Sequence, residues 1–200
     1  MCLVYVVDDD EELSASLAWL LESVGIHSER FHDARTFLRS YDRTRPACLV
    51  VDVRMPELSG FDVQQLLNET GSPLPVVFVS AHGDIRMSVR AMQHGAVDFL
   101  EKPYDPQHLL DVVQAARRTA RERFTREARR SELRARLDTL TARERDVLAL
   151  SVEGAPNKQI AGRLGISAKT VDVHRARIRE KTGAESIAAL VRDVLRLDAR

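Results

Sequence analysis

The chain of 200 residues predicts two domains of different class. The front is α/β, with a five-stranded parallel, doubly wound sheet. The back is all-α, and a long helix joins them. Three observations predict this. Short apolar runs alternate with helically spaced apolar residues over the first half, the pattern of βα units. Residues 117–136 contain no Gly or Pro and are rich in Arg, Glu and Ala, the composition of an exposed helix. Charge divides the chain along the same lines. Residues 1–116 carry 9 Lys/Arg against 18 Asp/Glu, 117–138 carry 9 against 4, and 139–200 carry 12 against 8. An acidic front and a basic back fit two domains, with nucleic acid a candidate partner of the second.

The elements follow in order. Val4 to Val7 is a buried strand emptying into Asp8, Asp9 and Asp10. Leu13, Leu17, Leu20, Leu21 and Val24 recur at helical spacing until Gly25 stops them. His27 to Phe31 is a weaker strand, and Asp33 caps a short helix carrying Ala34, Phe37 and Leu38. Leu49-Val50-Val51-Asp52 is a strand apolar on both faces, as parallel sheets require. Pro56 and Gly60 punctuate the loop before a helix over 61–68. Gly71, Pro73 and Pro75 precede the strand Val76 to Ser80. A helix over 85–94 ends at Gly95. Asp98 to Glu101 is the fifth strand, closed by Lys102-Pro103. Five such units give a flavodoxin-like sheet covered on both faces.

The last helix of the front starts near Asp105, packs Leu109, Leu110, Val112 and Val113 on the sheet, and continues to about Leu137. Leu133, Leu137 and Leu140 form a short stripe. It seals to a partner helix or to the back domain, or the stretch is a solvated spacer. Thr141-Ala142-Arg143-Glu144 is a capping box that opens the back domain. Helices follow over 142–153, with Val147, Leu148 and Val152 inward, and over 157–164, with Ile160, Ala161 and Leu164 inward. Gly165-Ile166-Ser167 turns the chain into a third helix to about Lys181. A fourth covers 186–197, with Ile187, Leu190, Val191 and Val194 on one stripe. Helix, glycine turn, helix is the helix-turn-helix pattern.

Side chains of marked chemistry gather at the strand ends. Asp8, Asp9 and Asp52 end two strands that flank the point where the strand order of a doubly wound sheet reverses. Ser80 and Lys102 end two more. Two carboxylates ~5 Å apart repel by roughly 3 kcal/mol at an effective dielectric of ~20. A hard divalent cation relieves that repulsion. Taken singly, each is an ordinary loop residue after a strand; five together are a site. The thiols Cys2 and Cys48 have no paired spacing and no His–Cys cluster, which argues for reduced thiols and against zinc. Leu3 to Val7 is too short for a signal peptide or a membrane span, so a cytoplasmic chain with no membrane partner is expected. No GxxxxGK[ST] phosphate loop occurs, which argues against an NTPase.

Residues 1–118 resemble the receiver domain of two-component response regulators. The resemblance implies that Asp52 is the phosphoryl acceptor and that Asp8 and Asp9 are the acidic pair. Asp9, Asp52 and the backbone carbonyl of Arg54 would hold Mg²⁺, or Mn²⁺ in its place. Ser80 would bond the phosphoryl group, Lys102 would stand beside it, and Phe99 would be the aromatic switch. Arg54 and His82 occupy positions that tune hydrolysis, and the Lys102–Pro103 bond is usually cis in the family. Asn157-Lys158-Gln159-Ile160-Ala161 and Ser167 through His174 resemble the DNA-binding domain of LuxR/FixJ-type regulators, over residues 139–200. Residues 119–138 then form a helical linker. The whole resembles a FixJ-type regulator, and its Ala81-His82-Gly83-Asp84 loop leans toward the styrene- and toluene-responsive members.

The implied function is a phosphorylation-activated transcriptional regulator, not a turnover enzyme. A sensor histidine kinase would donate the phosphoryl group, and homodimerisation and binding of double-stranded promoter DNA would follow, with RNA polymerase a further partner. Expected dimer contacts are Val89, Arg90 and Gln93 in the front and Ile187, Leu190 and Val194 in the back. Expected DNA contacts are Lys158, Lys169, Thr170, Asp172, Val173, Arg175, Ala176 and Arg179. At ~100° per residue Val171, His174 and Ile178 face the core and Lys169, Asp172, Ala176 and Arg179 face out. Relatives often place Lys where Asp172 and Ala176 stand. Asp172 either reads a base or pairs with a neighbouring Arg such as Arg175 and orients it. The competing enzyme reading is a Mg²⁺-dependent phosphotransferase or hydrolase of haloacid-dehalogenase type. It needs a second acid two residues past Asp52, where Arg54 stands.

Overall fold

The computed structural model describes residues 2–81 and 83–198, so His82 lies outside the described residues. The chain divides into two compact units, Met1–Glu127 and Ala128–Arg200. The first holds β1 (Leu3–Val7), α1 (Glu11–Ser23), β2 (Ser28–Phe31), α2 (Ala34–Ser40), β3 (Ala47–Asp52), α3 (Gly60–Glu69), β4 (Val76–Ser80), α4 (Ile85–Gln93) and β5 (Asp98–Glu101). All five strands are parallel, in the order β2-β1-β3-β4-β5. The continuous apolar runs occupy the centre: β3 and β4 are buried at every residue. The weaker strand β2 buries only Phe31 and lies at an edge.

Helix starts follow local chemistry. Asp10 caps α1 by accepting from the Glu12 and Leu13 N–H groups, and Asp33 and Asp84 cap α2 and α4. Leu17 and Leu21 of α1 pack on one sheet face with Leu109, Leu110, Val112, Val113, Ala116 and Ala120 of α5 (Pro106–Asp138). Phe37 of α2, Val63 and Leu67 of α3 and Ala91 of α4 cover the other face. The order reverses between β1 and β3, where Val7 lies opposite Val51. One residue further on, Asp8 and Asp52 stand side by side at the strand ends.

The second unit holds the end of α5 and α6 (Ala142–Val152), α7 (Asn157–Leu164), α8 (Ala168–Thr182) and α9 (Ile187–Asp198). Val147, Ile160, Val171, Ile178 and Leu190 are its fully buried centre. Leu140 is buried with them, and Leu133 and Leu137 pack against them. The stripe on α5 therefore seals to this unit, and 133–137 is not a solvated spacer. Arg130 Nη2 donates to the Leu197 carbonyl at 3.0 Å and Arg136 Nη1 to the Thr182 carbonyl at 2.8 Å, fixing the end of α5 to α9 and α8. Gly165 ends α7 at φ 64°, a left-handed conformation that glycine adopts without strain.

The capping box of α6 gives this unit an acid-labile point. The Glu144 carboxylate accepts from the Thr141 N–H at 2.9 Å and pairs with Lys181 Nζ at 2.7 Å, while its side chain is 3% exposed. Burial alone raises its pKa, but the Lys181 ammonium and the Thr141 N–H reverse that and hold it at about 2, below the ordinary 4.5. A depressed acid stabilises the fold above its unfolded value and loses that contribution as pH falls. Protection of α6 and α8 amides from hydrogen exchange should therefore fall between pH 4.5 and 2, by about 3 kcal/mol in full. Glu144→Gln should lower protection at pH 7 and flatten this pH dependence. An unchanged profile in that variant would place the acid sensitivity elsewhere.

Candidate functional site

Four strand ends deliver the site. Asp8 follows β1, Asp52 ends β3, Ser80 ends β4 and Lys102 follows β5. Asp8, Asp52 and Ser80 are 5%, 6% and 1% exposed, so each polar group sits below the surface. Lys102 Nζ donates to Asp8 Oδ2 at 2.8 Å and to Asp52 Oδ1 at 2.7 Å. Asp52 Oδ2 accepts from the Arg54 N–H at 2.6 Å, and Asp8 Oδ1 from the Asp10 N–H at 3.0 Å. The Lys102 N–H donates to the Ser80 carbonyl at 2.8 Å, which ties the ends of β4 and β5 together. The Lys102–Pro103 peptide bond is cis.

One cation shared by two acids sets the electrostatics. Burial pushes the Asp52 carboxyl above the ordinary aspartate value, and the Lys102 ammonium and the Arg54 N–H pull it only part of the way back. Burial works against the Lys102 charge, yet hydrogen bonds to Asp52 and Asp8 outweigh it and raise the ammonium above its usual value. Burial decides the direction at Asp52, whereas at Lys102 two carboxylates together outweigh it. Asp52 is thereby a basic, well-held carboxylate, suited to nucleophilic attack.

The expected convergence of three carboxylates needs correction. Asp8 and Asp52 meet on Lys102, whereas Asp9 is exposed in the following loop. Among the described residues no three His, Cys, Asp or Glu side chains are grouped to hold a metal by themselves. Phe99 is half-buried, its ring centre 6.3 Å from that of Phe78, and lines an open groove with Gly83, Ile85 and Glu101. Val89, Arg90 and Gln93 are exposed on α4, and the Arg90 guanidinium lies 4.7 Å over the Phe61 ring.

In the second unit Ser167 caps α8, its hydroxyl paired with that of Thr170 at 2.8 Å. Lys169, Asp172, Val173, Ala176 and Arg179 lie exposed along α8, and Lys158 is exposed on α7. Val171 and Ile178 face the core as the helical spacing requires, and His174 is half-buried with Nδ1 fully enclosed. One expectation fails here, and one of the two readings of Asp172 meets a different partner. Arg175 is half-buried and its Nη2 donates to the Ser151 hydroxyl at 3.2 Å, so it turns inward and not toward a phosphate. Asp172 pairs not with Arg175 but with Asn157, whose Nδ2 donates to Asp172 Oδ1 at 2.5 Å. A further expectation concerns α9. Leu190 is 1% exposed and belongs to the core, so it is not a free dimer contact, while Ile187 and Val194 are half-buried and pack against that core with one side. In the sequence Asn157 marks a helix start and opens the run that resembles the LuxR/FixJ DNA-binding domain; nothing in it announces a partner 15 residues away.

Residues 4–114 match the response regulator receiver domain family, and residues 138–194 match the bacterial regulatory proteins of the luxR family. The chain belongs to the response regulators. It is 43% identical to the response regulator protein TodT of Pseudomonas putida, over 98% of this chain and 86% of that one. It is 38% identical to the transcriptional regulatory protein FixJ of Bradyrhizobium diazoefficiens, over 96% and 94%. A solved structure of the response regulator StyR matches at TM-score 0.80 and 42% identity, over 98% of both chains. Full-length FixJ from B. japonicum matches at TM-score 0.58 and 37% identity, over 99% and 98%.

This response regulator therefore combines a receiver with a LuxR-type DNA-binding domain, as in transcriptional regulators of two-component systems, and is not a catalytic enzyme. A sensor kinase and DNA are the partners those two domains imply, and receivers generally use Mg²⁺. Among the described residues no helix is long and apolar enough to cross a membrane.

Proposed function

We propose that Asp52 accepts a phosphoryl group from a sensor histidine kinase and that this event controls DNA binding by residues 139–200. The observation that carries the reading is the Lys102 ammonium held between the carboxylates of Asp8 and Asp52. The Asp52 carboxylate attacks phosphorus, the kinase imidazole leaves, and an acyl phosphate forms. Lys102, already in contact, neutralises charge on the transferred oxygens. Ser80 then bonds a phosphoryl oxygen and Phe99 turns inward. The residues fit a hard divalent cation in charge and donor type, since two acids against one ammonium leave excess negative charge and every donor is oxygen. Asp52 and the Arg54 carbonyl would hold Mg²⁺ or Mn²⁺, with Asp9 turning in from its exposed loop to join them, and the ion would supply further charge neutralisation when bound. Arg54 at the position of a second acid supports switching over the hydrolase alternative.

Residues 1–118 then act as receiver, 119–138 as linker and 139–200 as reader of promoter DNA, in the cytoplasm and with RNA polymerase downstream. Val89, Arg90 and Gln93 form the dimer face, joined by the exposed Ile85 and Met92 of α4. Lys158, Lys169 and Arg179 contact phosphates, and Thr170, Asp172, Val173 and Ala176 lie toward the bases. Beryllofluoride with Mg²⁺ should double the mass measured by light scattering and tighten binding to selected duplex DNA. That binding should weaken with salt at a slope of about −0.9 per phosphate contact. A single unchanged mass in both states would sink the dimer switch, and salt-insensitive binding would remove the phosphate contacts.

A further inference from the structure

The contact between Asn157 and Asp172 is unusual for where it sits. Asp172 is exposed on α8, where water alone would satisfy its carboxylate. It nevertheless holds the Asn157 amide at 2.5 Å. A carboxylate only accepts, so Asn157 must present its NH₂ group to it. That choice turns Asn157 Oδ1 inward, where it is fully enclosed without a hydrogen-bond partner. Burying an unpaired acceptor costs stability, so the arrangement is not explained by stability alone. Nor does it serve the start of α7. The N-cap there is Pro156, with no side-chain cap, and Asn157 directs its amide across to α8.

The surroundings say what a fixed carboxylate can do there. Along the exposed side of α8, Lys169 and Arg179 stand at the ends, and Asp172, Val173 and Ala176 lie between them. Cations at the ends suit phosphates. The middle offers one acceptor and two small apolar groups, and Val173 is 44% exposed. An acid aimed at a phosphate would be repelled; an acid aimed into the major groove accepts from a cytosine amino group. Residues near the start of a recognition helix are those that reach base edges, and Asp172 lies in the second turn of α8.

We propose that Asn157 is a positioning residue for base reading: its amide fixes the Asp172 carboxylate on the face of α8 so that it accepts a hydrogen bond from the exocyclic amino group of one cytosine. This rests on the assignment of residues 139–200 to DNA. Holding the carboxylate in advance removes the ordering that a free side chain would undergo on binding, which sharpens discrimination.

The test uses the full chain activated with beryllofluoride. A site is selected from random duplex DNA, and every single-base change of it is then measured. The unsubstituted chain should prefer cytosine at one position by about tenfold. Asp172→Ala should level that position and leave the others. Asp172→Asn should move the preference toward adenine, because a carboxamide presents both the donor and the acceptor that adenine pairs with. Asn157→Ala should reduce the cytosine preference to about threefold at that position alone, and adding it to Asp172→Ala should change nothing further. If Asn157→Ala shifts every sequence evenly, or leaves the cytosine preference at tenfold, the positioning role is overturned. An even rise in affinity in Asp172→Ala would show a carboxylate that only repels phosphates, and would overturn base reading. Failure of the unsubstituted chain to enrich any sequence would overturn the DNA-binding assignment itself, a distinct result.

Discussion

The Asp52→Asn chain should take up no phosphoryl group from acetyl phosphate and Mg²⁺, yet should melt at the same temperature as the unsubstituted chain or higher. The first half follows from chemistry, since an amide is not nucleophilic enough to form the acyl phosphate. The second half follows from the site's charge. Burial holds the Asp52 carboxyl above its ordinary value, so its ionised form is less favoured folded than unfolded. A raised acid works against stability at every pH above its unfolded value, and a neutral residue of the same shape removes that cost. Lys102 keeps Asp8 at 2.8 Å, while the single Asn oxygen can accept from the Lys102 ammonium or from the Arg54 N–H but not from both, which offsets part of that gain. Labelling followed by phosphate-affinity electrophoresis, with a thermal melt alongside, separates the outcomes. Surviving label would put the acceptor elsewhere. A melt lowered by many degrees would mean that Lys102 depends on Asp52 more than burial opposes it.

Much of this site is legible in the chain, for a definite reason. Asp52, Ser80 and Lys102 each end a short apolar run, and parallel strands place their carboxyl ends on one side of the sheet. What the residue pattern cannot show is sharing. Lys102 is 94 residues from Asp8 and 50 from Asp52, and that it bonds both is a fact of register between β1, β3 and β5. The same limit explains the misplaced residues. Helical spacing puts Arg175 at the flank of α8, but its long side chain reaches inward to Ser151. Spacing on α9 shows that Ile187, Leu190 and Val194 share a face but not what covers it, and Leu190 belongs to the unit's own core with the other two half-buried against it. Helical spacing also turns Asp172 outward, where it lies; its partner on α7 depends on how two helices meet.

Gly60→Ala should destabilise the receiver by about 2–3 kcal/mol and slow phosphorylation with it. Gly60 opens α3, and its N–H donates to the Val53 carbonyl at 3.0 Å, directly behind the acceptor. A Cβ there would overlap the Asp52 carbonyl oxygen and stand 3.1 Å from the Phe78 ring edge. Neither neighbour yields easily. The carbonyl belongs to β3, and Phe78 is fully buried with Phe61 tilted over it at 4.9 Å. The strand end must shift, and Asp52 shifts with it. Displacement of a reacting group by about 1 Å costs on the order of a hundredfold in rate. Gly162→Ala is the matched control. Gly162 lies inside α7 with nothing within 4 Å of a Cβ and no left-handed φ. There alanine should stabilise by up to about 1 kcal/mol, because the helix loses a flexible residue. Urea unfolding and labelling rates on both variants decide the matter. Equal, small effects at the two positions would show that the close approach at Gly60 is relieved without moving the acceptor.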